Sequence, residues 1–255
     1  DDFTLKGTLA HRLIETLFQA HGTAALEWSE EKLEVWFDDT FETLIDREGA
    51  VFRMPGKHNE GELFRFQLFK AVRSLLQILK NANVQAIQSE CALTGTFEGG
   101  KLQGSADLVL TLPLAQPVIM DLKWSGKLYG ERLRHNRQLQ LAIYGELYRQ
   151  MGQAFAKPAY FVLSSSRLFH VDEGLFPGER VEKKTEELGG GPELWQAFLK
   201  TWRWRQAQLK SGDIHVVIQA TADQMQPAPQ DGYRLDEPGD RYNPYVSLCG
   251  WRQDQ

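Results

Sequence analysis

Near residue 84 the hydrophobic period of the chain changes from that of a helix to that of a strand, and this change limits the folds open to it. Upstream, "TLAHRLIETLFQA" over residues 8–20 repeats Leu9, Leu13, Leu17 and Phe18 at helical spacing behind a Thr8 cap. Residues 29–47 predict a second helix, capped by Ser29 with acids in its first turn. After a loop, residues 61–80 predict a third. Downstream, residues 87–97 and 101–112 read as strands joined by "EGG", and "PVIMDLKW" over 117–124 reads as another. A loop "SGKLYGE", a helix over 131–151, two short strands within 159–165 and 167–171, and a helix over 191–212 complete the pattern. This order predicts an α/β fold: a mixed central β-sheet flanked by helices, with an added N-terminal helical layer. One domain is expected over 1–215, made of a helical part (about 1–84), a core (about 85–172) and a C-terminal helix (about 192–212). Residues 216–255, rich in Pro, Asp and Gln, are expected to be an irregular extension.

Composition removes several classes. With only Cys91 and Cys249, the chain cannot build a disulfide framework or a four-cysteine zinc or iron–sulfur site by itself. Both read as small core residues. No apolar run is long enough for a membrane span, and no secretory signal is visible, so a cytoplasmic setting is expected. The first residue is not Met, which fits a processed chain or a domain cut from a longer one. A net charge of −5 argues against a protein that grips nucleic acid by charge alone. Locally the balance differs: Lys123, Lys127, Arg132, Arg134, Arg137 and Arg149, with His135, face only Glu131 and Glu146 between 123 and 149.

The strand "PVIMDLKW" carries two charges that would be costly in a core if left unpaired. Strand side chains alternate, so Val118, Met120 and Leu122 point one way and Ile119, Asp121 and Lys123 the other. In the strand before it, Asp107 shares a face with Ser105 and Val109. If Gly99 and Gly100 form the hairpin loop, Glu98 pairs with Lys101 and Glu90 sits opposite Val109, beside Asp107. Glu90, Asp107, Asp121 and Lys123 then converge. Carboxylates that close repel one another unless neutralised, and hard oxygen ligands suit Mg²⁺ or Mn²⁺. A nearby lysine can orient a water or offset charge in a phosphoryl transition state. The alternative is a partly buried salt-bridge cluster.

"GSADLVL", "VIMDLKW" and "QLQLAIYGELY" together resemble the PD-(D/E)xK nuclease superfamily, in the branch of the RecB and AddB nuclease domains and their CRISPR-associated exonuclease relatives. Gly104 to Asp107 matches its G-x-x-D strand, Asp121 to Lys123 its D-x-K strand, and Gln140 to Tyr144 its Q-x-x-x-Y helix. "GTLAHRLIE" matches an early helix bearing the histidine, here His11, with Glu15 one turn on as a structural or surface acid. The resemblance covers roughly residues 7–165 and implies a restriction-endonuclease-like core. It implies that His11, Asp107, Asp121 and the backbone carbonyl of Leu122 hold Mg²⁺ or Mn²⁺, with Glu90 a less secure ligand. It implies that Lys123 is the catalytic lysine, and that Gln140 and Tyr144 face the site and the nucleic-acid strand. Many members of the branch carry an iron–sulfur cluster held by four cysteines; this chain is expected to have none.

The activity so implied is a metal-dependent deoxyribonuclease acting on single strands or duplex ends, in DNA repair, recombination or defence. No P-loop is present, so a helicase domain or subunit is the expected partner. The rival readings are a silent nuclease-like module for DNA-end binding or partner docking, and a nuclease acting on RNA. The segment "TWRWRQAQLK" over 201–210 offers aromatic and basic side chains to unpaired bases.

Overall fold

The computed structural model describes residues 2–182, 190–212 and 232–233. Three helices lead the chain: α1 (Asp2–His21), α2 (Glu30–Glu48) and α3 (His58–Asn81). Ser29 caps α2 by accepting from the backbone N–H of Lys32, and Glu30 and Glu31 oppose the helix dipole in the first turn. Leu33, Phe37, Phe41 and Ile45, one turn apart, form its buried stripe. Helix α3 starts at His58, ahead of the expected start at Gly61, which lies within its first turn. A Cβ there would lie 3.3 Å from Phe52 Cβ in the preceding turn, so this glycine permits a close approach.

The sheet has the order β1-β2-β3-β4-β5, formed by Ala86–Phe97, Gly100–Leu112, Gln116–Lys123, Lys157–Val162 and Arg167–His170. Neighbours are antiparallel except β3 and β4, which are parallel, so the sheet is mixed as expected. The connection between that pair holds two helices, α4 (Tyr129–Arg134) and α5 (Leu139–Gln150). A single helix over 131–151 is therefore incorrect. The break falls at Asn136, whose φ of 51° takes the left-handed conformation that Asn tolerates. Gln138 donates to the Asn136 side chain at 2.9 Å inside this corner.

One core lies between the sheet and α1–α3, and includes Leu108, Leu110, Val118, Met120 and Leu122. The other lies on the side of α4 and α5, and includes Val109, Ile119, Leu133, Leu141, Leu147 and Tyr160. The β1–β2 turn corrects the expected register. Phe97 pairs with Gly100, so the loop is Glu98 and Gly99, with φ of 46° and 85°. Both central residues at positive φ make a type I′ turn, whose twist suits a hairpin. Gln88, not Glu90, opposes Val109. The correction moves the pairing by an even step, so the faces are kept and Glu90 lands across from Asp107.

There the ladder is interrupted: it passes from Ser89–Leu108 to Cys91–Ala106, and Glu90 has a φ of 48°. Ala106 joins the core beneath α5, whereas Leu108 joins the core beneath α1–α3. Strict alternation would put both on one side. The sheet thus switches faces at Glu90 and Asp107.

The chain divides into two compact units, residues 1–192 and 193–255. In the second, Trp195, Phe198 and Tyr233 pack ring to ring along α6 (Gly191–Lys210). The expected extension over 216–255 lies outside the described residues, apart from 232–233.

Candidate active site

Helix α1 delivers His11 to the point where β2 switches faces. Its ring Nε2 lies 2.9 Å from the Leu122 carbonyl, which can only accept, so Nε2 carries the proton. Nδ1 then faces Asp107, 3.5 Å from Oδ1. The second Asp107 oxygen accepts from the backbone N–H of Leu122 at 2.6 Å. The Leu122 peptide thus ties the histidine and the aspartate to β3. Burial alone would pull the His11 imidazole down, but Asp107, the Leu122 carbonyl and Asp121 outweigh it and raise its pKa.

Glu90 completes the cluster from β1. Its carboxylate accepts from the Ser105 hydroxyl at 2.9 Å. One donor atom from each of His11, Glu90 and Asp107 fits within 4.8 Å of the others. Asp121 and Lys123 stand beside it on β3. Asp121 is only 2 % exposed. Burial, and then the charge on Asp107, push its pKa up to about 6 against the pull of Lys123 and His11. Lys123 Nζ lies 2.7 Å from Asp121 Oδ2 as an ion pair, yet no donor is aimed at that oxygen in hydrogen-bonding geometry. Burial opposes the charge on Lys123, but Asp121 and Asp107 outweigh it, so the group rests as an ammonium.

These donors fit a divalent cation. Two carboxylates and an imidazole nitrogen converge, and a buried carboxylate oxygen beside them lacks a directed donor. The Leu122 carbonyl already accepts from His11, which gives it a positioning task in addition to any ligation. A cleft of about 500 Å³, lined by Gly7, Thr8, His11, Arg12, Glu15 and Glu90, opens onto the cluster.

Residues 2–236 match the PD-(D/E)XK nuclease superfamily. The chain belongs to that superfamily. A solved structure from Eubacterium rectale that carries an exonuclease assignment is 15% identical, with 74% of this chain and 71% of that chain covered and a TM-score of 0.35. No curated protein is similar enough to match. The mixed sheet with helices on its faces is the α/β core expected of the superfamily.

The residues singled out by the sequence resemblance sort into two groups. His11, Glu90, Asp107, Asp121 and Lys123 are brought together. Gln140 and Tyr144 share one face of α5, where Gln140 donates to the Tyr144 hydroxyl at 3.1 Å. The Tyr144 ring packs on β2 at Gly104, and a Cβ there would meet it at 2.8 Å. That contact accounts for the glycine three residues before Asp107. Glu15 accepts from Gln19 and pairs with Arg12 on the surface of α1. Cys91 is half-buried against the core beneath α5, and Cys249 lies outside the described residues. In the second unit, Trp202 is 38% exposed and the Arg205 guanidinium lies 4.5 Å from the Trp204 ring. Ser105, which holds Glu90, and the Leu122 N–H, which holds Asp107, had no signal in residue type or spacing. Among the described residues no helix is long and apolar enough to cross a membrane.

Proposed function

We propose that this member of the nuclease superfamily hydrolyses phosphodiester bonds in DNA with the help of Mg²⁺ or Mn²⁺. The observation that carries the reading is the meeting of His11, Glu90 and Asp107 within 4.8 Å, next to the Asp121–Lys123 pair. His11, Glu90, Asp107 and Asp121 would hold the cation, and the Leu122 carbonyl keeps His11 in the tautomer that leaves Nδ1 free. One imidazole among carboxylates suits Mn²⁺ at least as well as Mg²⁺. Such a cation, when bound, lowers the pKa of a coordinated water and neutralises phosphate charge.

The side chains do the rest. Lys123 presents an ammonium beside the site, where it orients the attacking water and offsets charge on the pentavalent phosphorus. Asp121 holds Lys123 in place. Gln140 and Tyr144 offer their polar tips to the incoming strand from α5. The RecB and AddB branch, with exonuclease or end-processing action in repair, recombination or defence, is the reading favoured by the motif set and its order. With no P-loop in this sequence, a helicase domain or subunit of the same system would deliver the strand.

The test is cleavage of labelled DNA in Mg²⁺ or Mn²⁺ by Asp107→Ala, Asp121→Ala and Lys123→Ala proteins. Each is expected to lose activity by about 100-fold or more, as when a charged group at a transition state is removed. Wild-type rates in any of them contradict the assignment, and matched RNA strands separate the two substrates.

A further inference from the structure

The basic stretch that follows Lys123 is mostly neutralised by its own acids. Lys123 pairs with Asp121, Arg134 with Glu131 and Glu182, His135 with Glu131, and Arg149 with Glu146. Arg137 is engaged as well. Two cations are left without a carboxylate partner among the described residues: Lys127 in the loop after β3, and Arg132 in α4. Both are exposed.

Arg132 is nonetheless held in place. Tyr160 on β4 is the register partner of Asp121 on β3, so the two side chains share a face. The Tyr129 ring packs on Tyr160 with centroids 4.9 Å apart. The Arg132 guanidinium in turn lies 5.6 Å from the Tyr129 ring centroid. A stack therefore rises from the strand position beside Asp121, through Tyr160 and Tyr129, to a guanidinium exposed to solvent. Gly126 makes this possible: its φ is 148°, and a Cβ there would lie 2.4 Å from the Tyr129 ring. A buried cation would need an acid; an exposed one fixed on an aromatic face, with its fork open, is arranged for an oxyanion.

We infer that Arg132, fixed on the Tyr129 ring, binds a backbone phosphate of the polynucleotide next to the one that is cut. This deepens the nuclease reading and rests on it. The stack sets where the strand lies relative to Lys123, and it adds affinity without reading sequence.

The experiment is equilibrium binding of a fluorescein-labelled single-stranded oligodeoxynucleotide, in EDTA, across a range of salt. Arg132→Ala is expected to bind about tenfold more weakly, with the slope of log K against log salt reduced by about 0.7. Tyr129→Phe keeps the ring and binds like wild type, whereas Tyr129→Leu approaches Arg132→Ala. Arg132→Ala removes an exposed side chain, so its melting temperature stays that of wild type. Unchanged affinity and slope in Arg132→Ala overturn the inference, and so does a loss in Tyr129→Phe as large as in Tyr129→Leu. Because EDTA removes any metal, this readout is independent of cleavage. If Asp107→Ala still cuts DNA at the wild-type rate, the reading of the site fails even where Arg132 is shown to bind phosphate.

Discussion

Gly104 shows how one residue carries a constraint that no charge or hydrophobic pattern reveals. It sits in a strand otherwise fit for side chains, and the reason is the Tyr144 ring lying where its Cβ would be. Gly104→Ala forces that ring to move and is expected to cost about 1–3 kcal/mol, read from urea unfolding. In the double variant with Tyr144→Ala the clash is gone, so the combined loss is smaller than the sum of the two single losses. Additive losses would show that the ring and the glycine do not touch. The same scale explains Leu122. Its side chain is core, but its N–H and C=O hold Asp107 and His11, and no sequence pattern signals a backbone role.

At the scale of elements, the hairpin that brings Glu90 to Asp107 turns on Glu98 and Gly99. The Gly-Gly pair drew attention to the wrong residues, since Gly100 already belongs to the ladder. A type I′ turn needs positive φ at both central positions, and Glu98 adopts it at some strain. Glu98→Asn is expected to stabilise the protein by about 0.5 kcal/mol, measured as a rise in the urea midpoint. A fall would mean that the Glu98 side chain contributes more than its backbone costs. The approach of Glu90 to Asp107 was legible nonetheless, because the register error was an even one; the face switch at that point was not, since strict alternation puts Ala106 and Leu108 on one side. The break in the 131–151 helix was not, because its only mark is Asn136, a residue that a helix interior tolerates. The period change near residue 84 gave the three leading helices and the start of the sheet, since burial on one face leaves its imprint on residue spacing.

The whole molecule feels the site through its charges. The folded pKa of Asp121 is about 6, above the unfolded value of 3.8, so folding favours its protonated form. That contribution is complete below the unfolded value and is lost as pH rises through about 6; the raised His11 pKa acts with the same sign at higher pH. The metal-free protein is therefore expected to lose melting temperature between pH 4 and pH 7 relative to Asp121→Asn, which removes the first of these titrations. Parallel curves for the two proteins would show that Asp121 ionises normally. Divalent cation opposes the loss, because it replaces the proton among the carboxylates.

The central claim is that the face switch at Glu90 and Asp107 builds a cation site with His11, beside the Asp121–Lys123 pair. A crystal soaked in Mn²⁺ tests it most directly. The account predicts an anomalous peak within bonding distance of His11 Nδ1 and the Glu90 and Asp107 carboxylates, absent in Asp107→Ala. Mn²⁺ bound only elsewhere, or no peak among these residues, would contradict it.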